Sequence, residues 1–541
     1  METGIELDED ARAAMPEATR PVSVSLADAD SCPVCGTWEW NYVMNAHGLT
    51  FFACENCDLM RLHPTPSLRT LETIQRRSAK RSLNVEEAEE EELARARSYW
   101  QRLRDFAGED ALQSKVLLFS SAPGSLVTAG HELGFRNIDV LSEGQPAEAE
   151  QYDLCLAVFA VERMDHPAAG IARLHGLLAT EGKLLIVAPL IDSWPAKLCR
   201  DAWTELRPEN RFYFSTHTLR AILLDNGFHR IWIQPDRRRY TLARLERRAR
   251  MYPTTWLTRF VRAGCLSVPR AWRNDIRVPV PTSAFVISAT KTEKRICPKL
   301  SIVMPVYNEK TTFEECFNAV RDKEIAGLER EIIVVESNSS DGTRETAQEI
   351  CRGEGIRLIL QERATGKGNA VRAGLKEADG DIVLIQDADL EYDVNDYDEL
   401  VKPILQHRAA FVLGSRHTGS WKLRKFNDQP VIASYFNLGH LFFCSSLNIM
   451  FGQSMKDPFT MYKVFQRDCL YGLKLECDRF DFDFEILIKL LRKGYKPLEL
   501  PVNYRARSLS EGKKVTAVRD PLTWLRALVK YRFCKIRQPP F

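Results

Sequence analysis

The chain has 541 residues, 45% of them hydrophobic and 27% charged, with a formal net charge of +2. At ~100–200 residues per domain that length predicts several domains of ordinary globular composition. So even a charge balance gives no global case for a nucleic-acid partner or an acidic substrate.

No apolar run looks like a membrane span of ~18–20 charge-free residues. The nearest, Val431 to Gly452, carries Asn, His and Ser and reads as a buried or interfacial helix. The opening METGIELDED is acidic and lacks an apolar centre, so no secretory leader is expected. The 14 cysteines then read as metal ligands and buried thiols rather than disulfides. The expected location is cytoplasmic, with peripheral contact at the inner face of the membrane as a further expectation.

Residues 1–28 are polar and rich in Ala and Pro, and are expected to form a disordered tail. Residues 29–66 hold two pairs, Cys32-Pro-Val-Cys35 and Cys54-Glu-Asn-Cys57, 18 residues apart. Two residues between thiols let both sulfurs of one turn reach one ion, and two such turns complete a tetrahedron around Zn²⁺. Four thiolates leave no position for water, so the site is expected to be structural. A redox pair is the alternative. Ser82 to Gln101 is rich in helix formers, with acids ahead of bases, and predicts a solvated connecting helix.

Residues 80–292 alternate strand-like and helix-like runs. VLLFSS follows Lys115, then Ala122-Pro123-Gly124 and a helical stretch. NIDVLS ends at Glu143, YDLCLAV starts at Tyr152, and KLLIVAP follows Gly182. Such alternation predicts a parallel sheet with helices on both faces. The ribbon, LHPTPS from Leu62, Tyr152-Asp153, ATEGKLLIVAP and FYFSTHTLRAILLDNGF from Phe212 together resemble class I S-adenosylmethionine-dependent methyltransferases with an N-terminal zinc ribbon. The resemblance implies a Rossmann-like fold and an S-adenosylmethionine site. The cofactor loop departs from that pattern: Ser120-Ser121-Ala122-Pro123-Gly124 keeps one glycine where the family has a Gly-x-Gly-x-Gly turn. Glu143 stands where the family's ribose-binding acid is expected. Two readings remain open, an active methyltransferase and a scaffold that kept the fold and lost the cofactor.

Arg237 to Arg273 is rich in Arg, with Trp256, Phe260 and Trp272 interleaved. Such a segment can lie on an anionic membrane, or pack its aromatics against its own domain.

Residues 298–541 carry the densest motifs. KLSIVMPVYNE, from Lys299, is an apolar run that ends in Pro305, Tyr307 and Glu309. EIIVVESNSSDGT, from Glu331, ends in Glu336 and Asp341-Gly342-Thr343. IRLIL precedes a turn with Gly366-Lys367-Gly368, and DIVLIQ runs into Asp387-Ala388-Asp389-Leu390-Glu391. Each polar cluster follows a probable parallel strand, the edge at which open α/β sheets bind ligands. Glu309 and Glu336 suit the base and ribose of a nucleotide. Asp387 and Asp389, with Glu391 as a third ligand, suit a hard divalent cation, Mg²⁺ or Mn²⁺. Lys367, between two glycines that free the backbone to approach, suits a phosphate or a sugar hydroxyl.

PVYNE, SSDGT, TGKGNAVRAGL, DADLEYD, LGSRH, DPFTMYKVF, FDFDFEILIKLLRKGY and LPVNYRARSLSEGKK, spread over residues 300–527, resemble family 2 inverting glycosyltransferases of the GT-A fold. The nearest group is the dolichyl- and polyprenyl-phosphate sugar transferases. The resemblance implies that Pro305, Tyr307 and Glu309 frame the base, that Asp387, Asp389 and Glu391 hold the metal, and that Arg416 meets phosphate. Glu336-Ser337 replaces the family's paired aspartates, which leaves GDP or UDP open. Asp457 is the candidate for ordering the acceptor or acting as base, with a helix cap as its alternative role. Arg505, Arg507, Lys513 and Lys514 suit an acceptor or donor phosphate. The whole chain thus reads as α/β: a zinc ribbon, a Rossmann-like methyltransferase-type domain and a GT-A domain. The expected reaction is inverting transfer from a nucleotide-diphosphate sugar to a polyprenyl phosphate or a glycan. A bifunctional methyl- and glycosyltransferase and a non-catalytic nucleotide-sugar scaffold are the alternatives.

Overall fold

The computed structural model describes residues 31–46, 48–66, 85–142, 145, 149, 151–251, 256–293, 295, 297–417, 430–505 and 519–534. The expected tail 1–28, Glu143, Arg507, Lys513 and Lys514 lie outside them. The chain forms two compact units, divided between Glu293 and Lys294.

In the N-terminal unit, strands β1 (Trp40–Ala46), β2 (Leu49–Cys54) and β3 (Met60–Leu62) form an antiparallel meander. Strands β4 (Val116–Phe119), β5 (Ile138–Leu141), β6 (Tyr152–Val158) and β7 (Leu178–Pro189) follow. Next come β8 (Phe212–Tyr213), β9 (Phe228–Thr241) and β10 (Arg277–Lys291). β3 pairs with β8, so the cysteine meander shares its sheet with a strand 150 positions on (Met60 opposite Tyr213, Arg61 opposite Phe212). The larger sheet runs β5-β4-β6-β7-β10-β9. Its first four strands are parallel, but β10 is antiparallel to both neighbours, so the sheet is mixed rather than purely parallel as expected.

The helix predicted from Ser82 to Gln101 spans Val85–Ala107. It is more than a solvated connector. Ala96, Tyr99, Trp100 and Leu103 recur at helical spacing and are buried against the sheet, and the Trp100 indole N–H donates to the Leu126 carbonyl at 2.7 Å. The acidic start of the helix hid this apolar stripe in its second half.

The four sulfurs of Cys32, Cys35, Cys54 and Cys57 lie within 4.8 Å of one another, with Cys32–Cys57 at 3.5 Å and Cys35–Cys54 at 3.4 Å. Zn–S bonds of ~2.3 Å in a tetrahedron put sulfurs ~3.8 Å apart, so the geometry suits a zinc thiolate site. All 14 cysteines are free thiols.

The C-terminal unit has one seven-stranded sheet made of β11 (Lys299–Val306), β12 (Glu329–Glu336), β13 (Ile356–Leu360), β14 (Ile382–Ile385), β15 (Phe411–Ser415), β16 (Lys463–Gln466) and β17 (Leu498–Pro501). The order is β13-β12-β11-β14-β16-β15-β17. β11 to β14 are mutually parallel, and β16 runs against β14 and β15. Continuous burial along β11 and β14 explains their unbroken apolar sequences, since both faces are covered by helices. One cover is the helix Lys367–Glu377. At Gly374 a Cβ would sit 2.4 Å from Val303 Cγ1, so this glycine lets the helix press onto β11.

The expected outcome of metal analysis on the purified chain is one zinc per molecule. Cys54→Ser should abolish it and lower the melting temperature of the N-terminal unit by roughly 10 °C, at about 2–4 °C per kcal/mol for a unit of this size. A metal-free wild type with unchanged melting would dismiss a zinc clip.

Candidate functional site

The carboxyl ends of β11, β12 and β14 open into a cavity of ≈ 950 Å³. It is lined by the polar side chains of Tyr307, Glu309, Lys367, Asp387, Asp389 and Arg416 and by the apolar ones of Leu438, Phe442, Phe443, Phe459 and Trp524.

The first two loops are clamped to each other. Asn308 N–H donates to Ser339 Oγ, and Ser340 N–H donates back to Asn308 Oδ1. Asp341 accepts from the Lys310 and Thr343 amides and from the Thr343 hydroxyl. Burial alone would raise the Asp341 carboxyl, but these donors outweigh it and lower it. The Asp-Gly-Thr signature is therefore a loop brace. Pro305, Tyr307 and Glu309 all face the cavity, and the Glu309 amide donates to Thr343 Oγ1.

Glu336 does not join them. It is fully buried at the end of β12, accepting from the Ser339 amide at 2.6 Å and from Arg344 Nε. The cavity instead meets Ser337. The expected nucleotide contact at Glu336 is thus an internal ion pair, because Arg344, eight residues on, reaches back from the next helix.

Lys367 opens the helix Lys367–Glu377 and donates to Asp387 at 2.6 Å. Burial alone would lower the Lys367 ammonium, but Asp387, Asp483 and Asp389 outweigh it and raise it. The flanking glycines serve packing rather than open backbone. Gly366 has φ 125°, and a Cβ there would lie 2.4 Å from the Asp478 carbonyl oxygen; one on Gly368 would lie 2.6 Å from the Cys477 carbonyl oxygen. The helix start is thereby pressed against residues 477–479, and Asn369 N–H bonds the Asp478 carbonyl at 3.0 Å.

Asp387, Asp389 and Glu391 all line the cavity, but they do not converge as a triad. Glu391 accepts from the Tyr504 hydroxyl at 2.8 Å, which holds it aside, and its own amide donates to Asp389 Oδ1 at 3.2 Å. Leu390 between them has φ 57°, an uncommon conformation for a branched side chain and one that clusters at functional loops. The donor set that fits Mg²⁺ or Mn²⁺ is therefore Asp387 with Asp389: two carboxylates, completed by ligand phosphate oxygens and water, are how such ions are usually held.

Arg416, after β15, is buried and grips Asp457 with Nε and Nη2, both at 2.7 Å, while its backbone N–H adds a bond at 3.0 Å. Burial alone would raise the Asp457 carboxyl, but Arg416 holds it well below the usual carboxylate range. Both oxygens are spent, so Asp457 is no general base; it anchors Arg416 at the cavity wall. His417 and His440 lie beside it, with ligand atoms within 4.8 Å. Nearby Arg416 makes this a poor cation site. His440 Nε2 lies 2.9 Å from the Lys456 carbonyl oxygen, and burial first of all pulls His440 down to about 4, so it stays neutral near pH 7.

Arg505 is exposed and does not line the cavity; its amide donates to the Glu391 carbonyl. The residues not anticipated are Asp483, Tyr504, His440 and the aromatic group Phe443, Phe459, Phe484 and Trp524, whose rings pack at 5.0–6.1 Å. Asp483 sits in the quoted FDFDFE stretch and pairs with buried Lys463 at 2.9 Å.

Residues 301–470 match the family model described as Glycosyl transferase family 2. The chain is similar to a dolichol-phosphate mannosyltransferase of Pyrococcus furiosus, 29% identical over 215 residues, which are 40% of this chain and 59% of that protein. It is also similar to glycosyltransferase AglJ of Haloferax volcanii, 26% identical over 243 residues, 44% of this chain and 73% of that protein. The chain thus spans about three fifths of the length of the mannosyltransferase. A crystal structure of glucosyl-3-phosphoglycerate synthase from Mycobacterium tuberculosis with Mn²⁺, uridine-diphosphate-glucose and phosphoglyceric acid aligns at 20% identity over 43% of this chain and 80% of that one, with TM-score 0.33.

In the N-terminal unit, the loop Ser120–Gly124 borders a cavity of only ≈ 130 Å³, below the ~300 Å³ at which small-molecule pockets begin. Arg163 reaches across it to donate to Ser121 Oγ at 2.8 Å, and Ser120 Oγ donates to the Val158 carbonyl. Among the described residues, the place expected for S-adenosylmethionine shows only this small cavity; Glu143, the expected ribose-binding acid, lies outside them.

Removing one partner of the Arg416–Asp457 pair leaves a buried charge alone. Asp457→Ala should cost about 3–5 kcal/mol by chemical denaturation. Because the folded-state value is depressed, the pair's contribution is complete above ~pH 4 and fades only as pH falls below it. A pH–rate profile should therefore show no limb from Asp457 between pH 5 and pH 8 by the same linkage.

Proposed function

We propose that the C-terminal unit is an inverting, divalent-metal-dependent hexosyltransferase that moves a sugar from a nucleotide-diphosphate sugar to a polyprenyl phosphate. The observation that carries the reading is the mixed lining of one cavity. It joins Lys367, Asp387, Asp389 and Arg416 with a set of Leu and aromatic side chains. A donor brings a base and a diphosphate to the charged groups; an acceptor with an anionic head and a hydrocarbon tail matches the apolar ones.

In this reading Tyr307 covers the base and Glu309 meets base or ribose. Asp387 and Asp389 hold Mg²⁺ or Mn²⁺, which when bound supplies positive charge to the departing diphosphate. The acceptor oxygen attacks the anomeric carbon from the face opposite the nucleotide. The bond to the diphosphate breaks, its electron pair leaves with the nucleotide, and configuration inverts. Lys367 stays protonated and contributes fixed positive charge at the diphosphate end. A phosphate acceptor is already ionised near neutral pH and needs no proton removed, which agrees with Asp457 being tied to Arg416.

The N-terminal unit is, on the same reading, a scaffold rather than a methyltransferase, supported by the small cavity at Ser120–Gly124 and the single glycine of that loop. Calorimetry of the full chain with S-adenosylmethionine should give no binding heat. Measurable binding would instead favour a bifunctional enzyme.

The decisive assay offers GDP- and UDP-sugars with Mn²⁺, and either a short polyprenyl phosphate in detergent or a soluble glycan. Transfer to the lipid phosphate is expected, falling at least ~100-fold in Asp387→Ala and Asp389→Ala, the usual scale for losing an electrostatic stabiliser. Undiminished turnover after chelation, or transfer to the glycan alone, contradicts the proposal. A folded chain that turns over no donor at all supports a non-catalytic scaffold.

A further inference from the structure

Residues 242–276 form an insertion between the neighbouring antiparallel strands β9 and β10 of the N-terminal unit. Its base is the strand pairing of Thr241 with Arg277, and the Leu242 amide closes it onto the Ile276 carbonyl. Two helices, Leu242–Met251 and Trp256–Leu266, pack against each other, followed by a turn at Arg270–Trp272. Their mutual contact centres on buried Glu246, which pairs with Arg250 and Arg262.

The outer part of this insertion is covered by little of its own unit. From residue 259 to 277 Cys265 is the one buried side chain. Phe260 is 71% exposed and Trp272 62%, and Leu266 and Ile276 are exposed as well. Large apolar side chains left in water on one short segment mark a contact surface. The aromatics flagged by sequence as interleaved with arginine do not, at Phe260 and Trp272, pack into their own domain.

The charge around them has one sign. Between Arg237 and Arg277 there are twelve arginines, no lysine and two acids, Glu246 and Asp275. Glu246 is neutralised inside the helix pair, so Asp275 is the exposed acid that remains. Arginine fits phosphate through paired N–H groups, and aromatic and aliphatic side chains beside it insert among acyl chains just below the headgroups. A nucleic-acid strand would use the arginines and the rings, but would leave Leu266 and Ile276 in water.

We propose that this insertion docks the N-terminal unit on an anionic lipid surface, with Phe260, Leu266, Trp272 and Ile276 entering the interface and Arg259 and Arg270 among the arginines that meet headgroup phosphates. This contact is separate from the acceptor cavity of the C-terminal unit and does not depend on which acceptor that cavity takes.

The test is sedimentation of the full chain with vesicles of phosphatidylcholine alone and of phosphatidylcholine with roughly one-third phosphatidylglycerol, an anionic composition that strengthens basic contacts. Binding should appear with the anionic vesicles and weaken with salt. Arg259→Gln/Arg270→Gln/Arg277→Gln should reduce it by about 100-fold, three arginines each contributing roughly fivefold. Phe260→Glu/Trp272→Glu should reduce it at every salt concentration. All these side chains are exposed, so the variants should keep the wild-type melting temperature. They should also keep wild-type sugar transfer in detergent, which separates this proposal from failure of the transferase reading. Vesicle binding that survives both variants but is lost on Phe533→Glu, on the helix Arg519–Phe533 of the other unit, would overturn the assignment. So would equal binding to neutral vesicles, or binding of a single-stranded oligonucleotide in place of vesicles.

Discussion

A lysine ammonium set among three carboxylates fixes the character of the candidate site. Lys367 contacts Asp387 and feels Asp483 and Asp389. Without it, Asp387 and Asp389 would line the cavity with no lysine beside them, while Asp483 would keep its bond to Lys463. Without the acids, burial would strip the lysine of its charge. Lys367 therefore ties the end of β14 and the helices starting at Lys367 and Phe482 into one electrostatic unit. The Arg416–Asp457 pair does the same for the far side of the sheet, where β15 ends. Two buried ion pairs thus stand on either side of a cavity whose remaining wall is hydrocarbon and aromatic.

That division of labour explains which acids face the cavity. A carboxylate already satisfied by arginine, as at Glu336 and Asp457, serves as an internal fastener. Asp387 and Asp389 instead line the cavity, where carboxylate oxygens suit a hard cation. The same logic separates the two units. In the C-terminal unit the strand ends leave a large polar opening; in the N-terminal unit the loop after β4 borders a much smaller one.

Local pattern carried the architecture a long way. Unbroken apolar runs marked β11, β12 and β14, and the polar residues that follow them gather at one edge because parallel strands end there. The C-x2-C spacing anticipated the sulfur cluster. What local pattern missed were partners far apart in sequence. Tyr504 reaches Glu391 from 113 positions away, and Arg416 reaches Asp457 across 41. Nothing near Asp457 tells a base from a fastener, because the deciding guanidinium arrives from another strand. Glu336 misled for the opposite reason: its partner Arg344 is close, but the turn between them, with Gly342 at φ 99°, folds the arginine back over the strand end. The stripe Ala96–Leu103 was obscured by the run of acids before it.

The seam between Gly366, Gly368 and the carbonyls of residues 477–479 has a consequence for how such a chain can diversify. No side chain, not even a methyl group, fits there without parting two walls of the opening. Point changes at these two positions are therefore barred as a route to a differently shaped opening. Adaptation has to come from other parts of the lining, such as Tyr307, whose ring is partly exposed at the opening.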